Sequence, residues 1–508
     1  MGRRRAAKCR VSGSRRHGAL TGALGLALVV TAVVLTSPGA GLVLRAGLAY
    51  SDAGTAPKPN IVLVLVDDAR DDDLRPAYMP RSNALIAGQG ARFTRFYAPF
   101  PLCCPARATL LTGQYSHNHG VVGNRAPSGF AAFRDRHSVA TWLTPTYRTA
   151  MIGKYLNGYG VDGSGTYVPP GWDRWIAPLE GSVYNYTDFR VSVDGRVQGV
   201  HQYSTDYYGD QAVDFVSGAV TRDEPLFLYL SLVAPHDGAP HSDDAKFLLS
   251  PYVKPQFRDT YSGPSLPEDR SFNEPDVSDK NPGIARRSRL TDAEIAYLKE
   301  KLAQRRESLQ SVDRQVARVL GALATAGELD DTFVFLLSDN GFMLGEHRIL
   351  HDKKFLYEPT VRVPLQVRGP GIPSGRHVSV PTAQVDVAPT LLQIAGIPND
   401  PQSLGLRVDG RSLLGALDNE VSPRPIVLEE HTAVTPSDPG SWIRRGLMTA
   451  RFSYLRFPVF DNFEELYDLR VDPDQRVNLA ARPAYQDVLR RLREQWNEYK
   501  ACSGQGCR

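Results

Sequence analysis

Residues 60–68 read NIVLVLVDD, six consecutive Ile, Val or Leu residues followed by Asp67 and Asp68. A run this apolar has no polar face, which indicates a strand buried on both sides, as in the parallel sheets of α/β proteins. Three other runs have the same character: PLFLYLSLVAPHD (225–237), DDTFVFLLSDNG (330–341) and VPLQVRG (363–369). Because helical patterns lie between these runs, the sequence predicts a mostly parallel central sheet with helices on both faces.

The clearest helical pattern covers residues 290–327, where the apolar spacing and the closing Gly327 predict one long helix or two. Residues 238–290 show no such periodicity and are rich in Pro, Ser and Asp. We therefore expect a long surface insertion there that shapes a substrate cleft.

From about residue 400 the pattern changes to short strand-like runs separated by turn residues, followed by a helical run at 485–500. This pattern predicts a smaller antiparallel subdomain that ends in a helix. The chain is thus expected to have three parts: a leader at 1–50, a catalytic α/β domain at 55–400 and a C-terminal α+β subdomain at 401–508.

The first 50 residues have the features of a targeting segment. They contain eight of the 59 basic residues and none of the 55 acidic ones, and the uncharged apolar run ALTGALGLALVVTAVVLT occupies 19–36. This layout is typical of a secretory signal; Arg15 and Arg16 permit a twin-arginine route, and the length of the run permits an uncleaved membrane anchor. We expect the rest of the chain to be secreted or extracytoplasmic.

Residues 51–508 then carry 51 basic and 55 acidic side chains, a net charge of −4. Such a body lacks the basic surface of a nucleic-acid-binding protein, so that class is excluded. Of the five cysteines, Cys9 lies in the leader, and Cys502 and Cys507 are spaced to close a small disulfide loop in an oxidising compartment. Cys103 and Cys104 remain.

Two of the buried runs end in pairs of oxygen-bearing side chains, Asp67 and Asp68 in one and Asp339 and Asn340 in the other. The carboxyl ends of parallel strands collect at one edge of a sheet, which is where such folds bind ligands. The two pairs together predict a site for calcium or magnesium. Each pair taken alone is weak evidence, because acids and Asn-Gly at strand ends usually just form turns.

The run CCPAR at 103–107 admits several readings. A zinc site requires more thiols or histidines at short spacing, and a disulfide between adjacent cysteines requires a strained geometry. A nucleophilic thiolate needs a basic partner, which Arg107 can provide. None of these readings accounts for the whole run C-x-P-x-R followed by LLTG at 110–113.

That run resembles the signature of the type I sulfatases, in the alkaline phosphatase superfamily. NIVLVLVDD and SDNG resemble the two metal-binding strands of that family, and ELYDLRVDPDQRVNLA at 465–480 resembles its C-terminal signature. GKYLNGYG, APHD and DKKFLYE place Lys154, His236 and Lys353 where the family has residues that bind sulfate or transfer protons. The likeness extends over about residues 58–480.

The resemblance implies that Cys103 is oxidised after synthesis to formylglycine (3-oxoalanine) by a formylglycine-generating enzyme. It implies a catalytic set that consists of Cys103, Arg107, Lys154, His236 and Lys353, and a calcium ion bound by Asp67, Asp68, Cys103, Asp339 and Asn340. In the family the hydrated aldehyde attacks sulfur and its second hydroxyl then expels sulfate. His236 is the candidate for that proton transfer, and Lys353, in preference to Lys354, for protonating the leaving oxygen. Cys104 is expected to be a small packed residue.

Two positions depart from the family pattern: Ala106 stands where many members have Ser, and Leu156 where many arylsulfatases have His. GKYLN, CCPAR, SHNHGVVGN and FNEPDVSDK are more similar to the glucosamine-6-sulfatase branch, which implies 6-O-sulfated glucosamine in sulfated glycans as substrate. The alternatives are an arylsulfatase of broad specificity, a phosphodiesterase or phosphonate monoester hydrolase on the same scaffold, and an inactive carbohydrate-binding relative.

Overall fold

The computed structural model describes residues 57–219, 224–240, 249–261, 263, 266, 270–417, 421–432, 434 and 440–508. The predicted leader at 1–50 lies outside these residues, and the boundaries at 55, 400 and 401 remain predictions. Within the described ranges, no helix combines the length and the apolar character needed to cross a membrane.

The strands among the described residues form two sheets. In chain order they are β1 (Asn60–Val66), β2 (Ala91–Tyr97), β3 (Arg148–Gly153), β4 (Arg174–Pro178), β5 (Phe189–Val193), β6 (Arg196–Val200), β7 (Leu226–Leu232), β8 (Thr332–Ser338), β9 (Arg362–Arg368), β10 (Arg376–Val378), β11 (Thr382–Ala383), β12 (Ile426–His431), β13 (Trp442–Met448), β14 (Phe452–Phe457) and β15 (Phe463–Asp468).

The α-helices of the described residues range from a single turn to 34 residues. In chain order they are α1 (Pro80–Ser82), α2 (Cys103–Thr112), α3 (Ser116–His119), α4 (Val139–Leu143), α5 (Ser204–Ala219), α6 (Pro282–Ala285), α7 (Asp292–Thr325), α8 (Glu358–Val361), α9 (Val387–Ile394), α10 (Pro401–Leu404) and α11 (Gln486–Tyr499).

The large sheet has the strand order β10-β2-β9-β8-β1-β7-β3-β4-β5-β6, with β11 pairing with β2. β1 lies at its centre and runs parallel to both neighbours, β7 and β8. Its side chains are buried on both faces: Ile61, Leu63 and Leu65 pack on the side that holds α2 and α9, whereas Val62 and Val64 pack on the side of α5 and α7. The mostly parallel, doubly covered sheet predicted from the sequence is thus confirmed.

One of the four buried runs differs from its expected direction. β9, which contains VPLQVRG, pairs antiparallel with both β8 and β2. The chain leaves β8 at its carboxyl end and reaches β9 through residues 339–361 without a crossover helix that would return it to the opposite edge. An apolar run indicates burial but contains no information about direction, and the parallel reading of β9 was wrong.

The long helical pattern forms one helix, α7, which begins at a capping box between Thr291 and Glu294. Ser250 and Phe257 are buried against this helix, where they contact Gln304 and Arg314, whereas Ile284 is buried in the cluster that contains the C-terminal strands. The insertion is therefore more deeply packed than a surface loop, and its contribution to a cleft remains a prediction.

The C-terminal strands form a separate antiparallel sheet in the order β12-β13-β14-β15. α11 packs against it through Leu489, Leu492 and Trp496. The predicted antiparallel subdomain with a terminal helix is confirmed, as is the disulfide between Cys502 and Cys507.

Candidate active site

The carboxyl ends of β1 and β8 bring the four predicted oxygen-bearing side chains together. The two strands pair in parallel, with Val66 opposite Ser338, so the residues that follow them lie side by side. The backbone N–H of Asp68 donates to Asp339 Oδ1 over 3.0 Å, and Asn340 Nδ2 donates to Asp68 Oδ1 over 2.7 Å. All four residues, including Asp67, are buried.

The thiol of Cys103 lies beside this group because α2 begins at that residue. Cys103 Sγ is 3.7 Å from Asp67 Oδ1. Pro105 occupies the first helical turn, where a missing N–H is tolerated, and Arg107 lies one turn further along the same helix face. The spacing C-x-P-x-R is thus the spacing that presents a thiol and a guanidinium to one site. The start of a ten-residue helix also favours negative charge.

Arg107 is fully buried and contacts one carboxylate from each strand end, Asp67 and Asp339. Its Nε donates to Asp339 Oδ2 over 2.9 Å, and its Nη2 lies 3.4 Å from Asp67 Oδ1. Nη1 donates to Ser231 Oγ over 2.7 Å and to the Lys154 carbonyl over 2.6 Å. Burial alone would lower the pKa of Arg107, but Asp339 and Asp67 raise it well above its usual value, so the guanidinium is charged.

Two lysines, of which Lys154 is buried and Lys353 half-buried, complete the positive charge of the site. Lys154 Nζ donates to Asp67 Oδ2 over 2.5 Å, and Lys353 Nζ donates to Asp68 Oδ1 over 2.6 Å and to Cys103 Sγ over 3.1 Å. Burial opposes the charge of both lysines, but Asp67 and Asp68 respectively raise the pKa of each well above its usual value. The preference for Lys353 over Lys354 agrees with this geometry.

His236 also contacts Asp68, with its Nε2 3.5 Å from Asp68 Oδ2. Its Nδ1 is 2.7 Å from the carbonyl of Asp237. Because a carbonyl can only accept, Nδ1 carries a proton, and Nε2 is the atom able to exchange one within the site. Burial lowers the pKa of His236, and the carboxylate of Asp68 opposes that effect.

Tyr184 is a site residue that the sequence did not identify. Its ring stacks on that of His236, with the ring centroids 4.2 Å apart and an angle of 14° between the ring planes. Lys154 Nζ lies 4.8 Å from the centroid of the Tyr184 ring. Its hydroxyl accepts from Asn157 Nδ2 over 2.7 Å. Tyr184 lies between β4 and β5 in the stretch VYNYTDF, which has no catalytic pattern, so no signal in the sequence points to it.

Cys104 is a packed thiol, as expected. The backbone N–H of Asn157 donates to its Sγ over 2.9 Å, and burial raises the pKa of this thiol well above its usual value. The histidines of the neighbouring loops have structural partners: His119 Nε2 contacts Thr109 Oγ1 at 3.1 Å, and His117 Nδ1 contacts Glu429 Oε1 at 2.8 Å.

The residues of the site fit a hard divalent cation. Ligand atoms of Asp67, Asp68, Cys103 and His236 lie within 4.8 Å of one another. Asn340 Oδ1 is buried without a hydrogen-bond partner, which is costly unless the oxygen binds something else. Burial and the negative charge of Asp67 raise the pKa of Asp339 to about 7, and a cation bound beside it would favour its ionised form. Carboxylate and amide oxygens are ligands that calcium prefers.

Comparisons with known proteins identify relatives of this chain. The family profile described as Sulfatase matches residues 59–397, and the profile described as N-sulphoglucosamine sulphohydrolase, C-terminal, matches residues 345–501. The human N-acetylglucosamine-6-sulfatase is 31% identical over 503 residues, covering 90% of this chain and 87% of the human protein.

Solved structures share the fold. One described as a complex with its substrate D-glucosamine-2-N,6-O-disulfate aligns with a TM-score of 0.65 at 24% identity, over 87% of this chain and 97% of that chain. A phosphonate monoester hydrolase from Silicibacter pomeroyi aligns with a TM-score of 0.63 at 23% identity, over 87% of this chain and 95% of that chain. At these identities the two likenesses show the fold alone.

Proposed function

Since the chain belongs to the sulfatase family and is therefore a sulfuric ester hydrolase, we propose that it removes 6-O-sulfate from glucosamine-type sugars in sulfated glycans. We propose further that it uses formylglycine at position 103 and one bound calcium ion. The observation that carries this proposal is the placement of Cys103 at the start of a buried helix, between Asp67 and Lys353.

Calcium would be held by Asp67, Asp68, Asp339 and Asn340, with residue 103 next to it. The three carboxylates of this set face three fixed cations, Arg107, Lys154 and Lys353, so their charges balance. A divalent ion therefore leaves the site net positive. A sulfate monoester is an anion that repels an anionic nucleophile, and a positive site removes that repulsion and stabilises charge in the transition state.

An aldehyde at position 103, hydrated to a geminal diol, would supply the attacking oxygen and a second hydroxyl whose deprotonation releases sulfate. The residues around it handle charge and protons. Lys154 would bind sulfate oxygens, and Arg107, which contacts Asp67 and Asp339, would hold these carboxylates in place and add positive charge. His236 Nε2 would accept the proton of the second hydroxyl, and Lys353 would donate a proton to the leaving oxygen.

The substrate class rests on the relatives. The human relative is named N-acetylglucosamine-6-sulfatase, and a relative from Bacteroides thetaiotaomicron that is 25% identical is named N-acetylglucosamine-6-O-sulfatase. A ligand of the same class, a 6-O-sulfated glucosamine, occupies one of the structural neighbours. We extend that class to this chain, and we propose a secreted or extracytoplasmic enzyme matured by a formylglycine-generating enzyme.

Mass spectrometry of the peptide that contains Cys103 tests the nucleophile. Conversion of the thiol to an aldehyde lowers the peptide mass by about 18 Da. Active protein in which Cys103 has its full mass and is alkylated by a thiol reagent would refute the formylglycine part of the proposal. Cys103→Ala is expected to abolish activity. Full activity in that variant would show that residue 103 is not the nucleophile.

A substrate panel tests the reaction class. We expect turnover of 6-sulfated N-acetylglucosamine to exceed that of an aryl sulfate and of a phosphodiester. Preferred turnover of the phosphodiester or a phosphonate monoester would assign the alternative activity on the same scaffold. Equal turnover of all sulfates would assign an arylsulfatase of broad specificity.

A further inference from the structure

Arg305 is a buried cation that lies beneath the candidate active site and takes no part in the chemistry proposed above. It belongs to the middle of α7, and its side chain is fully buried. Its guanidinium reaches the backbone of two catalytic segments that are more than 160 residues apart in the sequence, the turn after β1 and the turn after β7.

The contacts of Arg305 connect these two segments. Nη2 donates to the carbonyl of Asp68 over 2.6 Å and to Asp73 Oδ2 over 3.1 Å. Nη1 donates to the carbonyl of Pro235 over 3.3 Å. The ring of Phe342 lies 4.8 Å from the guanidinium carbon, which limits its movement from another side.

The contact with Asp68 supports an unusual backbone conformation. Asp68 has φ +64°, a left-handed conformation that costs a residue other than glycine on the order of 1 kcal/mol. This conformation directs the Asp68 N–H toward Asp339 and its side chain toward Asn340 and Lys353, while its carbonyl faces α7. A charge-assisted hydrogen bond from Arg305 compensates that carbonyl for the loss of water.

The contact with Pro235 places the second catalytic segment. Pro235 directly precedes His236, whose Nε2 lies 3.5 Å from Asp68 Oδ2. One planar guanidinium thus holds the backbone of the acid and the backbone next to the histidine at a defined separation.

We propose that Arg305 is a positioning residue that sets the calcium-binding conformation of Asp68 and its distance from His236. This inference rests on the proposed function, because it assumes that Asp68 binds calcium and that His236 transfers a proton. Loss of Arg305 should weaken calcium binding and lower kcat more than it changes KM, since its side chain is fully buried and therefore out of reach of a substrate.

The test compares Arg305→Met with Arg306→Met. Arg306 is the next residue of α7, is also largely buried, and contacts Asp72 at 3.5 Å and the ring of Tyr78 at 4.2 Å. Among the described residues, Arg306 forms no hydrogen bond or ion pair with Asp68 or Pro235. Arg306→Met therefore controls for the loss of a buried arginine from the same helix. Calcium affinity is measured by isothermal titration calorimetry on folded, formylglycine-bearing protein, and kcat and KM on an aryl sulfate.

We expect Arg305→Met to bind calcium at least about tenfold more weakly, the size of effect that supporting residues have at metal sites, while Arg306→Met stays within about twofold of wild type. Arg305→Lys, which keeps the charge in case the Met variant does not fold, should still lose affinity because one ammonium does not span both carbonyls. Its recovery of wild-type affinity and kcat would overturn the inference.

Two further results distinguish a failure of the inference about Arg305 from a failure of the proposed calcium-dependent function. If wild type binds calcium and Arg305→Met binds it equally well with unchanged kcat, only the inference about Arg305 fails. If wild type itself binds no calcium, the proposed calcium-dependent function fails and this inference fails with it.

Discussion

Replacing Tyr184 by Leu removes a ring that contacts two of the proposed catalytic side chains. The ring stacks on His236 with centroids 4.2 Å apart, and Lys154 Nζ lies 4.8 Å from its centroid. The matched control is Tyr184→Phe, which keeps the ring and loses only the hydroxyl that accepts from Asn157.

The size of the effect follows from these two ring contacts. A stacked aromatic pair contributes about 0.5–1.5 kcal/mol, and a desolvated cation–π contact about 0.5–2 kcal/mol. If both side chains act in the transition state, their loss raises the barrier by about 1–3.5 kcal/mol, which lowers kcat/KM about 5- to 400-fold. Loss of the hydroxyl alone removes one hydrogen bond, about 0.5–1.5 kcal/mol, or roughly tenfold at most.

Steady-state kinetics of the two variants and wild type on an aryl sulfate measure this difference, with circular dichroism and the melting temperature as checks on folding. We expect the Leu variant to be several-fold slower than the Phe variant at equal folded concentration. If both variants have the same kcat/KM, the ring does not position His236 and Lys154, and the reasoning from these contacts is wrong.

Three other perturbations have defined outcomes. Calcium at a concentration one hundred times its Kd adds about 2.7 kcal/mol to the free energy of unfolding. Its removal with EDTA therefore lowers Tm by about 3 °C for a folded body of roughly 450 residues. Equal Tm values with and without EDTA would argue against a bound ion. Lys353→Met should slow hydrolysis of a sugar sulfate more than that of p-nitrophenyl sulfate, whose leaving group needs no proton, and equal losses would remove its role as an acid. Burial lowers the pKa of His117, but Glu429 and the Cys502 carbonyl raise it above the unfolded value of 6.5, despite the nearby charge of Arg445. The stability that His117 adds is therefore complete below pH 6.5 and lost as pH rises through the higher folded pKa, so urea denaturation should show the gap between wild type and His117→Gln shrinking with pH; a growing gap would contradict this sign.

Several features of the candidate site were predictable because they depend on local pattern. The uninterrupted apolar run of β1 required burial on both faces, and parallel pairing then placed Asp67 and Asp68 beside Asp339 and Asn340. The four-residue interval between Cys103 and Arg107 matches one helical turn, so both reach the same site from α2.

Other features depended on how distant segments meet. The direction of β9 followed from the path of residues 339–361, which apolar periodicity does not describe. Tyr184 and Arg305 are ordinary residues by sequence, and only their contacts with His236 and with the Asp68 and Pro235 carbonyls distinguish them.

The amino-acid sequence by itself determined the α/β class, the buried central strand, the two pairs of oxygen-bearing side chains and the candidate thiol, because each depends on residues close together in the chain. The tertiary structure alone decided which side chains support that chemistry. The contact of Tyr184 with His236 joins residues 52 positions apart, and that of Arg305 with Asp68 joins residues 237 positions apart. Such contacts are set by loop paths and packing between layers rather than by any local pattern.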